Sequence, residues 1–149
     1  MQNFQEFLEN SLQQNIKKLI PLTGGASADI NRIILENNNE LIVRRSLSKE
    51  QSVMAIPKKL EAKIQRIVKS NDAPVPKIIF EFSEDEDIGE GYVMEAIPGE
   101  TIPRKILRDD NYENVRSKLS FEIGRSLATI HQTKLDELQA EHDAEEWKR

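Results

Sequence analysis

The sequence predicts an α+β domain in which a mostly antiparallel sheet is crossed by one helix between its third and fourth strands. Three observations predict it. Apolar residues recur at spacings of three and four in three separate segments, and β-branched and aromatic runs come in pairs joined by turn residues. Glycine and proline fall singly or in pairs where one pattern gives way to the next. The 149 residues suffice for one domain of ordinary size, able to fold without covalent staples, and are short for a two-lobed enzyme.

The elements follow in order. Phe4, Phe7, Leu8, Leu12, Ile16 and Leu19 repeat at helical spacing between polar residues, which predicts one amphipathic helix over residues 3–19 that ends near Pro21. A glycine-bearing loop, Leu22-Thr23-Gly24-Gly25-Ala26-Ser27, comes next. Ile30, Ile33, Ile34 and Leu35 are joined through Asn37, Asn38 and Asn39 to Leu41, Ile42 and Val43, the pattern of a hairpin. Residues 53–70 read as a second helix starting near Pro57, since proline suits a first helical turn. Five bases against the single acid Glu61 give residues 55–70 a local charge of +4. Ala73-Pro74-Val75-Pro76 is a stiff extended connector. Ile78, Ile79, Phe80 and Phe82 form a strand, Glu84 to Asp87 a solvated turn, and Tyr92, Val93, Met94, Ala96 and Ile97 the partner strand. Residues 101–110 read as irregular, with a helical turn at Ile106 and Leu107. Asp110 is placed to cap a third helix, with Glu113 completing a capping box, and Val115, Leu119, Ile123, Leu127 and Ile130 form its apolar stripe. Residues 136–149 hold six acids and two bases and predict a frayed end.

Composition removes several function classes. There is no cysteine, so disulfides, thiolate metal sites and cysteine nucleophiles are excluded. Two histidines, His131 and His142, are too few for a histidine-built zinc site. With 26 acids against 21 bases, the net charge of −5 leaves no basic surplus for nucleic acid. Apolar runs of a few residues cannot cross a bilayer, and the N-terminus lacks the basic start and apolar core of a signal peptide. A soluble cytoplasmic protein is the expectation.

The residues able to carry chemistry each read two ways. Gly24 and Gly25 let backbone amides approach a phosphate and Ser27 offers a hydroxyl, yet the same residues also make an ordinary tight turn. Strand alternation turns only one of Arg44 and Arg45 inward, as a phosphate-neutralising cation or as a solvated strand end. Glu61 pairs either with that arginine or with Lys58 on its own helix. The acidic turn at 84–87 lacks the glycine and distant glutamate of a calcium loop. His131 reads as packed or half-exposed, and Trp147 as a partner contact or a tail residue.

In this order the features resemble the N-terminal part of the aminoglycoside phosphotransferase and choline kinase-like superfamily, nearest to the phosphotransferase domains found beside acyl-CoA dehydrogenases. Leu22 to Ser27 looks like the nucleotide-positioning loop and Leu41-Ile42-Val43-Arg44-Arg45 like the third strand. Ala73-Pro74-Val75-Pro76-Lys77 resembles the connector, Gly91 to Glu95 with Pro98-Gly99 the hinge, and Ile123 to His131 the first helix of the second lobe. The resemblance implies a protein kinase-like small lobe with a five-stranded antiparallel sheet over residues 1–98. Residues 99–149 would be the hinge exit and the first helical part of an incomplete second lobe. It implies ATP as the nucleotide, with Gly24, Gly25, Ala26 and Ser27 over its phosphates, Arg44 in place of the usual strand lysine, and Glu61 as its helix partner. The backbone of Glu95 and Ile97 would hold the adenine.

The family's His-x-Asp loop, its following Asn and its metal-binding Asp do not occur in these residues; His142-Asp143 has the wrong spacing. No catalytic residue and no Mg²⁺ ligand is therefore assigned, although the complete family enzyme is expected to use Mg²⁺. The expectation is a truncated kinase whose lobe binds ATP and whose family phosphorylates a hydroxyl of a small molecule. The alternative is a non-catalytic nucleotide- or protein-binding module. In either case the helix at 111–134 would meet a second lobe or a second copy, and neither nucleic acid nor membrane is an expected partner.

Overall fold

The computed structural model describes residues 3–22, 29–47, 56–83 and 87–134. The chain divides into two compact units, Met1–Arg66 with Pro76–Ala96, and Ile67–Val75 with Ile97–Arg149.

The first unit opens with helix α1 (Phe4–Leu12), whose start is capped by Asn3 accepting from the Gln5 amide at 3.2 Å. It ends at Gln13, which takes the left-handed conformation at φ 53°. The predicted helix over 3–19 is thus corrected: its second half is strand β1 (Ile16–Pro21). The physical reason lies in an irregularity of the ladder. Ile16 pairs with Leu35 and Lys18 with Ile34, so Lys17 is an extra residue in β1. That bulge brings Ile16 and Leu19, three apart, to the same face, which is the spacing a helix would also show. Glu9 ties the two elements together by accepting the Ile16 amide at 3.0 Å.

Strands β2 (Asp29–Leu35) and β3 (Glu40–Ser46) form the predicted hairpin. Its turn uses Asn38 at φ 63°, and Asn37 Oδ1 accepts the Asn39 amide at 2.9 Å, which is the local chemistry that makes asparagine a turn residue. Strands β4 (Ile78–Ser83) and β5 (Glu90–Glu95) form the second hairpin. The five strands are antiparallel in the order β1-β2-β3-β5-β4. This bears out the predicted α+β class and places β3 at the centre.

Alternation gives the sheet two apolar faces. On one face Leu8 of α1 packs with Ile16, Ile33, Leu35, Val43, Phe82, Ile88 and Val93. On the other face, helix α2 (Lys58–Ser70) sets Ala62 against Ile78 and Tyr92, with Met94 beside them. Glu90 at the start of β5 accepts the Lys58 amide at 2.8 Å and so caps α2 from the sheet. Gln65 donates to the Pro76 carbonyl at 2.8 Å, and Arg66 pairs with Glu81.

In the second unit, Pro103 opens a short helix, α3 (Pro103–Arg108), where an irregular stretch with one helical turn is predicted. Glu100 accepts the Thr101 and Ile102 amides, each at 2.9 Å, and so supplies the cap that Ile102 lacks. Helix α4 (Glu113–His131) follows a short 3₁₀ turn at Asp110–Tyr112. The predicted cap at Asp110 is corrected to Asp109, which accepts the Asn111 amide at 3.0 Å and caps the 3₁₀ turn. The insertion of that turn displaces the capping box, and Tyr112 before α4 makes no side-chain cap. Arg116 joins α3 to α4 through the Ile106 and Asp109 carbonyls at 3.1 and 2.7 Å. Phe121, Ile123 and Leu127 of α4 are exposed. No helix among the described residues is long and apolar enough to cross a membrane.

Candidate nucleotide site

Arg44 and Arg45 are neighbours in β3 and therefore point to opposite faces. Arg45 faces α1, where it pairs with Asp29 at 2.7 Å and lies 3.7 Å from the centre of the Phe4 ring. Arg44 faces α2. Its Nε donates to both oxygens of Glu61, at 3.1 and 3.3 Å. Lys58, one helical turn before Glu61, donates from Nζ to Glu61 Oε2 at 2.9 Å and to the Ile56 carbonyl at 3.4 Å. The two pairings that the sequence leaves open for Glu61 are thus both made.

Tyr92 completes the cluster. It stands directly opposite Arg44 in the β3–β5 ladder, on the face that α2 covers, and is 2% exposed. Burial and the neighbouring Glu61 charge push its ionisation up to about 12. Burial alone would raise Glu61, but the hydrogen bonds and charges of Lys58 and Arg44 outweigh it and hold the carboxyl below its ordinary range. A depressed carboxyl contributes stability that is present above its unfolded pKa and is lost as pH falls through the folded one. The melting-temperature gap between the parent and Glu61→Gln is therefore expected to be constant above about pH 5 and to shrink below about pH 4. A gap indifferent to pH in thermal melts would contradict this account of Glu61.

The other predicted site residues are placed as follows. Gly24, Gly25, Ala26 and Ser27 lie outside the described residues. The ends of their loop are fixed by the β1–β2 hairpin, with the Leu22 amide donating to the Ile30 carbonyl at 2.8 Å. Ile30 is the register partner of Arg44, so Arg44 sits at the loop end of that hairpin. Glu95 ends β5; its amide donates to the Lys77 carbonyl at 3.0 Å and its carboxylate accepts the Lys77 amide at 2.9 Å. Ile97 belongs to the second unit and its side chain is exposed. His131 is exposed at the end of α4, while His142, Trp147, the acidic residues 84–86 and the tail at 136–149 fall outside the described residues. Among the described residues no group of three or more His, Asp or Glu side chains is arranged to hold a metal ion.

Tyr92 is the member that the sequence reading missed. Its signal was the two-residue period of β5, which puts Tyr92 and Met94 together on the side of α2.

A five-stranded antiparallel sheet with a helix on one face, whose glutamate reaches an arginine on the central strand, is a protein kinase-like small lobe. The family model described as the phosphotransferase enzyme family matches residues 18–149, and the chain belongs to that family. Comparison with curated proteins gives no match, and comparison with solved structures gives none either.

Proposed function

We propose that the sheet unit binds ATP, and that the reaction it serves is transfer of the γ-phosphate to a hydroxyl of a small molecule. The observation that supports this most directly is the composition of the half-buried cluster. Two cations, Arg44 and Lys58, share the carboxylate of Glu61, and the register of Arg44 opposite Ile30 sets its guanidinium at the loop end of the β1–β2 hairpin. In this reading Arg44 contacts phosphate, Glu61 orients it, and backbone amides from Gly24 to Ser27 cover the phosphates. The backbone of Glu95 and Ile97 holds the adenine. No His-x-Asp occurs in the 149 residues, so their role is to bind and position the nucleotide, not to move the proton of the hydroxyl.

Calorimetric titration with ATP and with adenosine tests the reading. ATP is expected to bind more tightly than adenosine, and Arg44→Ala to reduce that preference. A charge-assisted hydrogen bond contributes roughly 1.5–3 kcal/mol, equivalent to about 10- to 150-fold in affinity. Equal affinity of the parent for ATP and adenosine would refute phosphate recognition. A second reading, a protein-binding module that meets its partner through α4, is favoured by the exposure of Phe121, Ile123 and Leu127. The same titration separates the two, since only the module reading survives if the parent binds no nucleotide.

A further inference from the structure

The carboxylate of Glu61 has more partners than the orientation of one arginine requires. An isolated Arg44–Glu61 pair would be neutral, and a carboxylate tends to take a guanidinium in a two-pronged grip that uses up its terminal nitrogens. Neither condition suits an arginine that must meet a polyphosphate. The observed geometry is different. Glu61 touches Arg44 only at Nε, and among the described residues neither terminal nitrogen of Arg44 has a hydrogen-bond partner.

Lys58 accounts for this. Its side chain is 5% exposed, its Nζ lies 2.9 Å from Glu61 Oε2, and its backbone is fixed by the Glu90 cap at 2.8 Å. Burying an ammonium costs free energy unless it is paired, and here the pairing spends the charge of Glu61 on Lys58.

We propose that Lys58 is a positioning residue that holds Glu61 back, so that Arg44 keeps a free terminal edge for nucleotide phosphates. The proposal rests on the reading of Arg44 as a phosphate ligand. It assigns Lys58 no contact with the nucleotide; its effect passes through Glu61.

The test compares Lys58→Met and Lys58→Arg with the parent by titration with ATP, adenosine and inorganic tripolyphosphate. Lys58→Met keeps the apolar stem and removes the charge. It is expected to weaken ATP and tripolyphosphate binding by about tenfold and to leave adenosine unchanged. Lys58→Arg should restore most of the loss. A role in folding alone predicts that ATP and adenosine weaken together with a lowered melting temperature, and that outcome overturns the proposal. Unchanged ATP affinity in Lys58→Met overturns it while leaving the nucleotide reading standing. A parent that fails to distinguish ATP from adenosine removes both. A readout without nucleotide is the ¹⁵N spectrum of the arginine side chains: in Lys58→Met, Glu61 should engage the terminal nitrogens of Arg44 and slow their rotation. Rotation as free as in the parent counts against the proposal.

Discussion

Gly91→Val is expected to remove a large share of the stability of the sheet unit. A Cβ at position 91 would stand 2.5 Å from the Arg44 carbonyl oxygen, 2.6 Å from Phe82 Cζ and 2.9 Å from Arg45 Cβ. None of the three can give way cheaply. The Arg44 carbonyl belongs to the central strand, which pairs with β2 on one side and β5 on the other. Arg45 is held by Asp29 and by the ring of Phe4. Phe82 packs on Phe7 with ring centres 5.2 Å apart and on Phe4 at 6.3 Å. Overpacking a well-filled core costs typically about 1–3 kcal/mol, and with backbone as the obstacle the upper end or more applies, a large share of the roughly 5–15 kcal/mol that holds a domain folded. Gly99→Ala is the control, because a Cβ there meets nothing within 4 Å. Equal urea midpoints for Gly91→Val and the parent would show that the ladder is looser than described.

Leu8→Ala is the second substitution with a large expected effect. Leu8 is fully buried and is the only residue of α1 that is, so the helix rests on it. Removing three methyl or methylene groups from such a site costs about 2–5 kcal/mol, through lost transfer free energy and the cavity left behind. The loss should appear as a lower urea midpoint with the slope of the transition unchanged. The region matched by the family model begins at residue 18, after α1 has ended. The expectation is therefore that a segment ahead of the matched region is part of the core. A midpoint shifted by less than the error of the melt would mean that α1 is an appendage.

Much of this was legible in the residues, and what was not has specific causes. The two hairpins announced themselves because Asn37 to Asn39 and the β-branched runs act locally, without help from distant contacts. Helix α2 was legible from its stripe and from Pro57. Strand β1 was not, because the bulge at Lys17 mimics helical spacing; what overrides the helix is the ladder offered by β2, a tertiary fact. Arg44 and Glu61 were nameable from their positions, but which arginine turns toward α2 depends on the register against β5, which no local pattern supplies. Tyr92 was hidden for the same reason. It becomes part of the cluster only because register sets it opposite Arg44.

The central strand alone resists misalignment only at its buried positions. In Leu41-Ile42-Val43-Arg44-Arg45-Ser46, a shift by one position brings Arg44 into the slot of fully buried Val43 in one direction or Arg45 into that of buried Ser46 in the other. Its neighbours add to this fidelity. The asparagine turn fixes the count on the β2 side, and on the β5 side only Gly91 tolerates so close an approach of the Arg44 carbonyl. The accuracy with which one guanidinium is delivered to the helix face and the other to the back is thus proofread by a turn and a missing side chain, neither of which belongs to the strand that carries the arginines.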